Sequence, residues 1–506
     1  MNRRAFIGAA VGGSALLAGC TQLLSGETPS RSVGEPDGDG DGNGDIGEND
    51  DADGDGGENG DGDGPGFPNE TVTVVDFETA RLTAAVVGGR LTTDDRLAAR
   101  IDFLEPATPD SPARLRAEVT NNQPYEQTFA ARRLVVLDDP PVGQSSDRNA
   151  IYLAPVEGHP LAESIPGYAR DENGRWRLED VRDDWFPDTL TLEAEETVTG
   201  VYHLLGHHLA DEPSIRAGRY RFGWREGGFE VAVWSTDEPG PDRASQFAGE
   251  SVADLPDAET IRWYHEATPT TEASLEPDTE RIEAPGKLEF TLVNHSREAM
   301  GGNPYQWRLY KSVDGEWLPV YPWAWNAPYA TRGPGAVDET TLQCYHGDPV
   351  PCEGSRTVGH LGGGRYAYSV GYSLDEETHA AMFDLEAPDL DVGLEADADV
   401  EDGWEEAVVT LPNYADARKP ATFTVTRVDA KAEDRLIPEQ LPRRPFRAFR
   451  NALPLFFDED RDGIERVRVR TDRGTALGPF GYEEGEVRTV EFDGRTFEAR
   501  GQLEDA

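Results

Sequence analysis

Lysine is the scarcest charged residue of this sequence, and its scarcity leaves the chain with a large negative charge. Only four lysines occur in 506 residues, and 47 lysines and arginines face 97 aspartates and glutamates, so the formal net charge is −50 at pH 7. A protein that binds nucleic acid needs a basic face that contacts the phosphates. The composition therefore argues against a nucleic-acid partner.

The acidic residues are spread along the whole chain. A Gly- and Asp-rich stretch at 35–66 holds 13 of them, so most of the excess lies elsewhere. Strong acidity with little lysine resembles the proteins of haloarchaea, which implies a surface adapted to molar salt. There the Debye length falls to about 3 Å, and carboxylates hardly repel one another. The alternative interpretation is an acidic patch that binds a basic ligand.

The apolar run at 8–18 is too short to span a bilayer, which takes roughly 20 residues. It is preceded by the residues Arg3, Arg4, Phe6 and Ile7, and followed by a Leu-Ala-Gly-Cys sequence that ends at Cys20. The segment 1–20 resembles a twin-arginine lipoprotein signal peptide. The resemblance implies export and a lipid on Cys20, which would anchor the protein to the outer face of the cytoplasmic membrane.

Residues 21–69 are predicted to form a disordered acidic linker, because a segment rich in Gly and Asp cannot bury apolar surface. Its simplest role is a flexible tether between the membrane and the folded part. A second interpretation concerns Asp37, Asp39, Asp41 and Glu48, which occupy positions 1, 3, 5 and 12 of a calcium-binding loop. Gly44 stands where such a loop has an apolar residue, which favours the tether.

From Thr71 onward, short runs alternate apolar and polar residues between Gly, Pro, Asp and Asn, which predicts a mainly β fold. The clearest runs are 114–120, 196–205, 219–224, 229–234, 287–293, 307–310 and 365–372. We predict two β-sandwich domains, at 70–258 and 259–388. Residues 389–506 are predicted to form a smaller α+β domain, in which Phe446, Phe449, Leu453 and Phe457 recur at helical spacing between Pro445 and Pro454.

The span 285–372 resembles bacterial immunoglobulin-like domains. The resemblance depends on the apolar strand 288–294, on Leu309-Tyr310-Lys311, on the Asp314-Gly315 turn before Trp317, and on Gly364-Arg365-Tyr366. It implies immunoglobulin-like sandwiches for the two β domains. The span lacks the Cys…Trp…Cys framework of antibody domains, so the resemblance implies a fold and no particular function.

Only three cysteines occur, and one of them is Cys20. Cys344 and Cys352 flank a loop rich in Gly and Pro, which in an exported protein predicts a disulfide. The alternative is a metal or redox pair. A blue-copper site would require a Met soon after His346, and the next Met is Met382.

Motifs of known catalytic sites are missing from the sequence: it has no G-x-S-x-G, H-E-x-x-H, P-loop or C-x-x-C. His203 and His207 lie in a run that is typical of a strand, where they would be about 13 Å apart. Asp458, Asp460 and Asp462 resemble the start of an EF-hand loop. Val469 stands where that loop needs Glu, so a surface turn is predicted. We predict no catalytic residue, no metal and no cofactor.

The segment 305–329 is rich in aromatic residues. Trp307 and Trp317 are predicted to lie in a core, because sandwich cores are built from such side chains. Trp323, Trp325 and Tyr329 lie in a Pro-containing loop and are the better candidates for a ligand surface. Exposed aromatic rings can stack on sugar rings through their apolar C–H faces.

The function that the sequence favours is a non-catalytic binding, adhesion or structural role of a surface-anchored lipoprotein at the cell envelope. Its partners would be the membrane, through the lipid, and an envelope glycoprotein, a glycan or another surface protein. One alternative is a substrate-capture lipoprotein that serves a transporter, which would require a deep cleft between domains. Another is a secreted hydrolase whose active site is assembled from scattered residues.

Overall fold

The alternating pattern gives a fold that is mainly β, as predicted. The computed structural model describes residues 74–504, except for 173, 209–214, 224–227, 257, 375 and 462. The predicted signal peptide and linker lie outside the described residues, together with Arg3, Arg4, Phe6, Ile7, Cys20, Asp37, Asp39, Asp41 and Glu48. Within the described ranges, no helix has the length and apolar character needed to cross a bilayer.

The described part of the first region contains fourteen strands and two 3-10 helices. The strands are β1 (Val75–Phe77), β2 (Leu82–Val87), β3 (Arg90–Thr92), β4 (Leu97–Glu105), β5 (Ala113–Asn121), β6 (Gln127–Ala130), β7 (Val142–Gln144), β8 (Ala150–Pro155), β9 (Tyr168–Arg170), β10 (Trp176–Leu178), β11 (Thr189–Leu192), β12 (Thr197–Gly206), β13 (Gly218–Phe222) and β14 (Phe229–Ser235). The 3-10 helices are Ala131–Arg133 and Val135–Leu137. One sheet has the main path β1-β2-β14-β13-β7-β8-β12-β5-β4-β3, with β10 beside β12 and β9 beside β10. Strands β6 and β11 form a separate pair.

Period-two burial builds the core of this region, because successive strand residues point to opposite faces. Along β5, Ala113, Leu115, Ala117 and Val119 are buried, and the residues between them are partly exposed. Trp185, from the connection between β10 and β11, is fully buried in the same core. The runs predicted at 114–120, 196–205 and 229–234 are confirmed as strands β5, β12 and β14.

Among its described residues, the second region contains the 3-10 helix Tyr264–Glu266 and eleven strands. The strands are β15 (Ile261–Trp263), β16 (Ala273–Pro277), β17 (Arg281–Glu283), β18 (Gly286–Asn294), β19 (Met300–Val313), β20 (Glu316–Tyr321), β21 (Ala330–Arg332), β22 (Val337–Cys344), β23 (Ser355–Val358), β24 (Gly364–Leu374) and β25 (Glu377–Glu386). A seven-stranded sheet has the path β15-β25-β24-β19-β20, with β17 beside β25 and β21 beside β19. A four-stranded sheet has the order β16-β18-β22-β23.

These two sheets pack face to face through aromatic side chains. Phe290 of β18 stacks on Tyr368 of β24 with ring centroids 4.2 Å apart, and contacts Phe383 of β25 edge-on at 6.2 Å. On its other face, the seven-stranded sheet packs against Phe247 and Leu255. The chain before residue 258, the predicted boundary, therefore contributes to the packing of both regions.

The third region combines one mixed sheet with short helical segments. Its strands are β26 (Asp399–Asp402), β27 (Glu406–Thr410), β28 (Pro420–Arg427), β29 (Asp434–Arg435), β30 (Arg466–Asp472), β31 (Val487–Phe492) and β32 (Arg495–Leu503), in the order β26-β27-β30-β28-β32-β31-β29. The α-helices are α1 (Arg447–Arg450) and α2 (Arg473–Leu477). The 3-10 helices are Pro412–Tyr414, Pro438–Gln440, Arg444–Phe446, Leu453–Phe456, Glu459–Arg461 and Gly478–Phe480.

The helical spacing at 443–457 does not produce one continuous helix. Pro445 and Pro454 each begin a new turn, because proline cannot donate the backbone hydrogen bond that a helix interior needs. The apolar side chains still reach one core, and Phe449 meets Phe423 of β28 with ring centroids 4.9 Å apart. These turns cover one face of the sheet.

Candidate functional site

A break in the pairing of β19 exposes aromatic residues at one edge of the second region. The register between β19 and β24 shifts between Gly302 and Trp307, so the residues between them leave the ladder. Tyr305, in this bulge, is 58% exposed. The Asn303 side-chain amide donates a hydrogen bond of 2.6 Å to the Asn326 carbonyl, which ties the bulge to the following aromatic loop.

That loop, residues 322–329, connects β20 to β21. Pro322 and Pro328 have no N–H for strand pairing, which keeps the segment irregular. Tyr329 is 73% exposed. A Cβ atom at Gly301 would lie 2.0 Å from the Tyr329 hydroxyl oxygen, so the ring position depends on a glycine at that point of β19.

Trp323 and Trp325 of the loop share one guanidinium group. The Arg308 guanidinium carbon lies 4.8 Å from the ring centroid of Trp325 and 6.0 Å from that of Trp323. Trp323 also packs edge-on against Phe446 of the third region at 4.8 Å and donates its indole N–H to the Val320 carbonyl at 3.1 Å. Trp323 is therefore held from two sides, and both Trp rings are half-buried.

A second arginine–aromatic group lies beneath the first. Trp307 is buried, as predicted, and meets Tyr321 edge-on at 5.6 Å. The Arg356 guanidinium of β23 lies 5.2 Å from the Trp307 ring and donates to the Tyr368 hydroxyl. Trp317, the other Trp predicted in a core, is buried too.

Arg443 of the third region completes this arrangement. Its guanidinium carbon lies 5.5 Å from the Tyr321 ring, and the group donates to the Gly359 carbonyl at 2.6 Å. Burial lowers the pKa of Arg443 to about 10, which leaves the group charged at neutral pH. A cation over an aromatic face is stabilised by the ring quadrupole, more so where water is excluded.

We call this set of side chains the aromatic–arginine surface: Tyr305, Arg308, Tyr321, Trp323, Trp325, Tyr329, Arg356 and Arg443. It contains the three aromatic residues that the sequence predicted as a ligand surface, of which Trp323 and Trp325 meet at Arg308 while Tyr329 lies against Gly301, and it adds three arginines that the sequence did not point to. The only local signal for them was the adjacency of Arg308 to Trp307. Guanidinium groups donate several hydrogen bonds in a fixed plane, so the surface can present apolar faces and fixed donors together.

A groove of about 980 Å³ lies between the second and third regions. Its floor contains an ion pair in which Lys311 Nζ is 2.5 Å from Glu439 Oε1, with the side chains 15% and 1% exposed. Glu439 Oε1 also accepts the N–H of Gly362 at 3.1 Å. Phe457 and Phe492 line the groove as well. Pockets of this size at domain junctions commonly bind small molecules.

The weak metal candidates do not converge on one point. Among the described residues, no group of three or more His, Cys, Asp or Glu side chains is placed to hold a metal. Asp458 pairs with Arg461 at 2.6 Å and accepts the N–H of Asp460 at 3.0 Å, which is the surface turn that was predicted. Asp462 lies outside the described residues. His203 instead meets the Tyr168 ring at 4.7 Å.

A buried histidine gives the fold a predicted sensitivity to acid. Both ring nitrogens of His379 lack a hydrogen-bond partner among the described residues, and burial, together with nearby Arg262, lowers its pKa to about 4. An unfolded histidine titrates near pH 6.5, so between about pH 6.5 and pH 4 the unfolded chain binds a proton that the folded chain does not. Above that window the neutral side chain costs the folded state nothing. As the pH falls through the window, we expect the free energy of unfolding to decrease progressively, by up to ~3 kcal/mol. Denaturant unfolding from pH 7 to pH 4 measures this loss.

In that experiment, a His379→Phe variant keeps an aromatic ring in the site and removes the titrating group. Its stability should fall less with acid than that of the wild-type chain. His159, whose pKa burial also lowers to about 4, remains in both proteins. Identical pH profiles for the two proteins would contradict the assignment.

The structure contains no bond between Cys344 and Cys352. Cys344 ends β22 on the same side as buried Leu342 and points into the core, where burial raises the pKa of its thiol to about 12. Cys352 is half-buried in the following loop. The disulfide predicted from the sequence is therefore not found in the structure, where the Cys344 thiol packs in the core instead.

Comparisons with known proteins give no relative that identifies this chain. No protein-family model matches it, and no curated protein does. A solved polysaccharide lyase is similar over 59% of this chain and 35% of its own, with 8% identity and a TM-score of 0.12. A DUF4785 family protein from Legionella pneumophila is similar over 63% of this chain and 78% of its own, with 10% identity and a TM-score of 0.11. The chain spans about a third of the lyase, and TM-scores this low carry no argument about fold or function.

Proposed function

We propose that this protein is an exported, lipid-anchored binding protein of the cell envelope that recognises a glycan at the aromatic–arginine surface and does not transform it. The observation that carries the proposal is the Arg308 guanidinium over the Trp325 ring, in a region whose bulge and loop also carry the exposed rings of Tyr305 and Tyr329. Aromatic faces suit the apolar C–H faces of sugars, and guanidinium groups suit their hydroxyl or carboxylate oxygens.

The arginines of this surface are unexpected in a chain that is so strongly acidic. The net charge is −50, yet Arg308 and Arg443 lie against aromatic rings of this surface, and Arg356 lies against the buried Trp307 ring next to it. Removing a cation from water costs less free energy when it is an arginine placed against an aromatic ring than when it is an isolated buried cation. Such an arrangement favours a ligand with oxygen acceptors over a cationic ligand.

The rest of the proposal follows from the sequence. The lipid on Cys20 would hold the protein outside the cytoplasmic membrane, with the acidic linker as a tether and the acidic surface adapted to high salt. Within this proposal, the face-to-face sheets of residues 259–388 are an immunoglobulin-like sandwich, and the sheet of residues 70–258 belongs to a second one. Sandwiches in series are suited to presenting a binding surface away from a membrane.

The groove favours a second candidate function, the capture of a small substrate for a transporter. Its size and its place between two regions are those that a capture protein needs. The two candidates differ in which residues matter. Glycan binding depends on Trp325 and Tyr329, whereas capture would depend on the groove and would be indifferent to those rings.

Glycan binding is tested by removing single rings of the surface. We expect Trp325→Ala and Tyr329→Ala each to weaken binding of an oligosaccharide by about tenfold, which corresponds to roughly 1.4 kcal/mol of lost stacking. Calorimetry with the full chain in molar KCl, against a panel of neutral and acidic oligosaccharides, measures the effect. Trp404→Ala is the matched control, because Trp404 is 92% exposed in the β26–β27 connection. Equal losses in all three variants, or no binding to any glycan, would refute the proposal.

A further inference from the structure

The outer face of the third region's sheet carries threonines and arginines in register. On the central strand β28, Thr422, Thr424 and Thr426 alternate with buried residues and point away from the core. Thr424 lies opposite Arg468 of β30 on one side and opposite Arg500 of β32 on the other. Thr426 lies opposite Arg466 of β30. Because strands are about 4.8 Å apart and alternate residues about 7 Å apart, these side chains form a regular polar lattice.

The ends of this lattice are polar too. Arg470 and Gln502 flank Thr422, and Glu498 flanks Thr426 on the β32 side. Helical turns cover the opposite face of the sheet, whereas a trough of about 400 Å³ lies over this one. We call Thr422, Thr424, Thr426, Arg466, Arg468 and Arg500 the threonine–arginine face.

This face differs in charge from a comparable face of the same protein. On the four-stranded sheet of the second region, the outward positions include glutamates beside threonines, since Glu289 lies opposite Thr341 and Thr291 opposite Glu339, and one cation, Lys287, opposite Gln343. That pattern matches the overall composition of the chain. The threonines of the third region are instead flanked mainly by arginines, so the positive charge is not a general property of the protein's sheet faces.

Part of this positive charge is not neutralised locally. Arg468 pairs with Glu406 at 2.5 Å, and Arg466 lies 3.9 Å from the same carboxylate. No carboxylate within the described ranges forms an ion pair with Arg500. Glu504, at the end of the face, accepts hydrogen bonds from Thr422 and from Tyr414, at 2.6 and 2.7 Å. Arg466 and Arg468 therefore share Glu406, the Glu504 carboxylate also interacts with Arg470 and Arg468, and Arg500 forms no ion pair among the described residues.

From this arrangement we infer that the threonine–arginine face binds an extended acidic polysaccharide. Guanidinium groups form paired hydrogen bonds to carboxylate and sulfate groups, which gives strong recognition even where salt screens long-range attraction. Threonine hydroxyls both donate and accept, as sugar hydroxyls do. The lattice has no aromatic side chain on which a base could stack, which argues against single-stranded nucleic acid. The inference does not depend on the aromatic–arginine surface.

The test uses the full chain in molar KCl and dextran sulfate as the acidic polysaccharide, with uncharged dextran as the matched polymer. We expect dextran sulfate to bind and dextran not to bind. The double variant Arg468→Gln and Arg500→Gln should bind at least about tenfold more weakly, as expected for lost hydrogen bonds to charged groups. The double variant with lysines should recover only part of the affinity, because an ammonium group cannot form the paired contact.

Control variants show whether a change in dextran sulfate binding comes from this face or has another cause. Arg81→Gln, an exposed arginine of the first region paired with Asp237, should bind as the wild-type chain does. Circular dichroism and thermal unfolding check that each variant is folded. Trp325→Ala should leave dextran sulfate binding at this face unchanged, so failure here and failure of the proposed function are distinguishable. Unchanged binding by the glutamine variant, or equal binding of polyglutamate or single-stranded DNA at the same arginines, would overturn the inference.

Discussion

Transfer of the full chain from molar KCl to about 0.1 M salt is expected to unfold or aggregate the folded part, because the Debye length lengthens from about 3 to about 10 Å. Like charges on the acidic surface then repel one another. Glu193 shows this locally: the nearby Glu126 carboxylate, more than burial, raises its pKa, and Glu196 adds to the effect. Melting temperatures followed by circular dichroism at several KCl concentrations measure the dependence, and they should rise with salt.

A variant in which two neighbouring glutamates are replaced by uncharged residues provides the control for that experiment. Replacing Glu126 and Glu193 by glutamine removes one site of repulsion and should raise the melting temperature in low salt more than in high salt. The shape of the side chains is nearly preserved, so packing is not the cause of any difference. A chain that is equally stable in low and high salt would refute the halophilic interpretation.

Replacing Glu439 by alanine is expected to destabilise the protein by about 3–5 kcal/mol, the usual cost of leaving one buried charge without its partner. Lys311, at 15% exposure, would lose the carboxylate 2.5 Å away, and the Gly362 N–H would lose its acceptor. The space is closely packed, because a Cβ atom at Gly362 would lie 2.8 Å from Glu439 Oε1. Denaturant unfolding in molar salt gives the free energy.

The double variant Lys311→Met and Glu439→Leu is the informative comparison. A buried ion pair replaced by apolar groups of similar size is often close to neutral in stability, because the desolvation of two charges is avoided. The double variant should therefore be more stable than Glu439→Ala. Exposed ion pairs contribute about 1 kcal/mol or less, so a loss that small from Glu439→Ala would show that the pair is effectively solvated.

The strands were predictable because their signal is local. Alternation along β5, β12 and β24 reports which face of each strand is buried, and the structure confirms these runs. The segment 443–457 was harder to predict, since Phe449 and Leu453 kept their place in the core while Pro445 and Pro454 divided the helix into turns. The spacing of the apolar residues decided which side chains of this segment reach the core, and the prolines decided that the segment is not one continuous helix.

In the candidate site too, some residues could be predicted from the local sequence and others could not. Trp323, Trp325 and Tyr329 could be selected because a Pro-containing loop with aromatic residues is visible in the sequence. Arg356 and Arg443 could not be, because they lie tens of residues away and reach the neighbouring rings of Trp307 and Tyr321 through β23 and through a turn of the third region. Contacts at such separation depend on how the sheets and turns pack.

The sequence by itself determined the charge of the chain, its scarcity of lysine and the alternation that makes it mainly β, since each of these is a property of composition or of neighbouring residues. Only the tertiary structure decided that arginines of β30 and β32 flank the threonines of β28, and that Lys311 meets Glu439. The physical reason is register: a slip of one residue would turn every side chain of a strand to the opposite face, and register is fixed by the packing of the buried face.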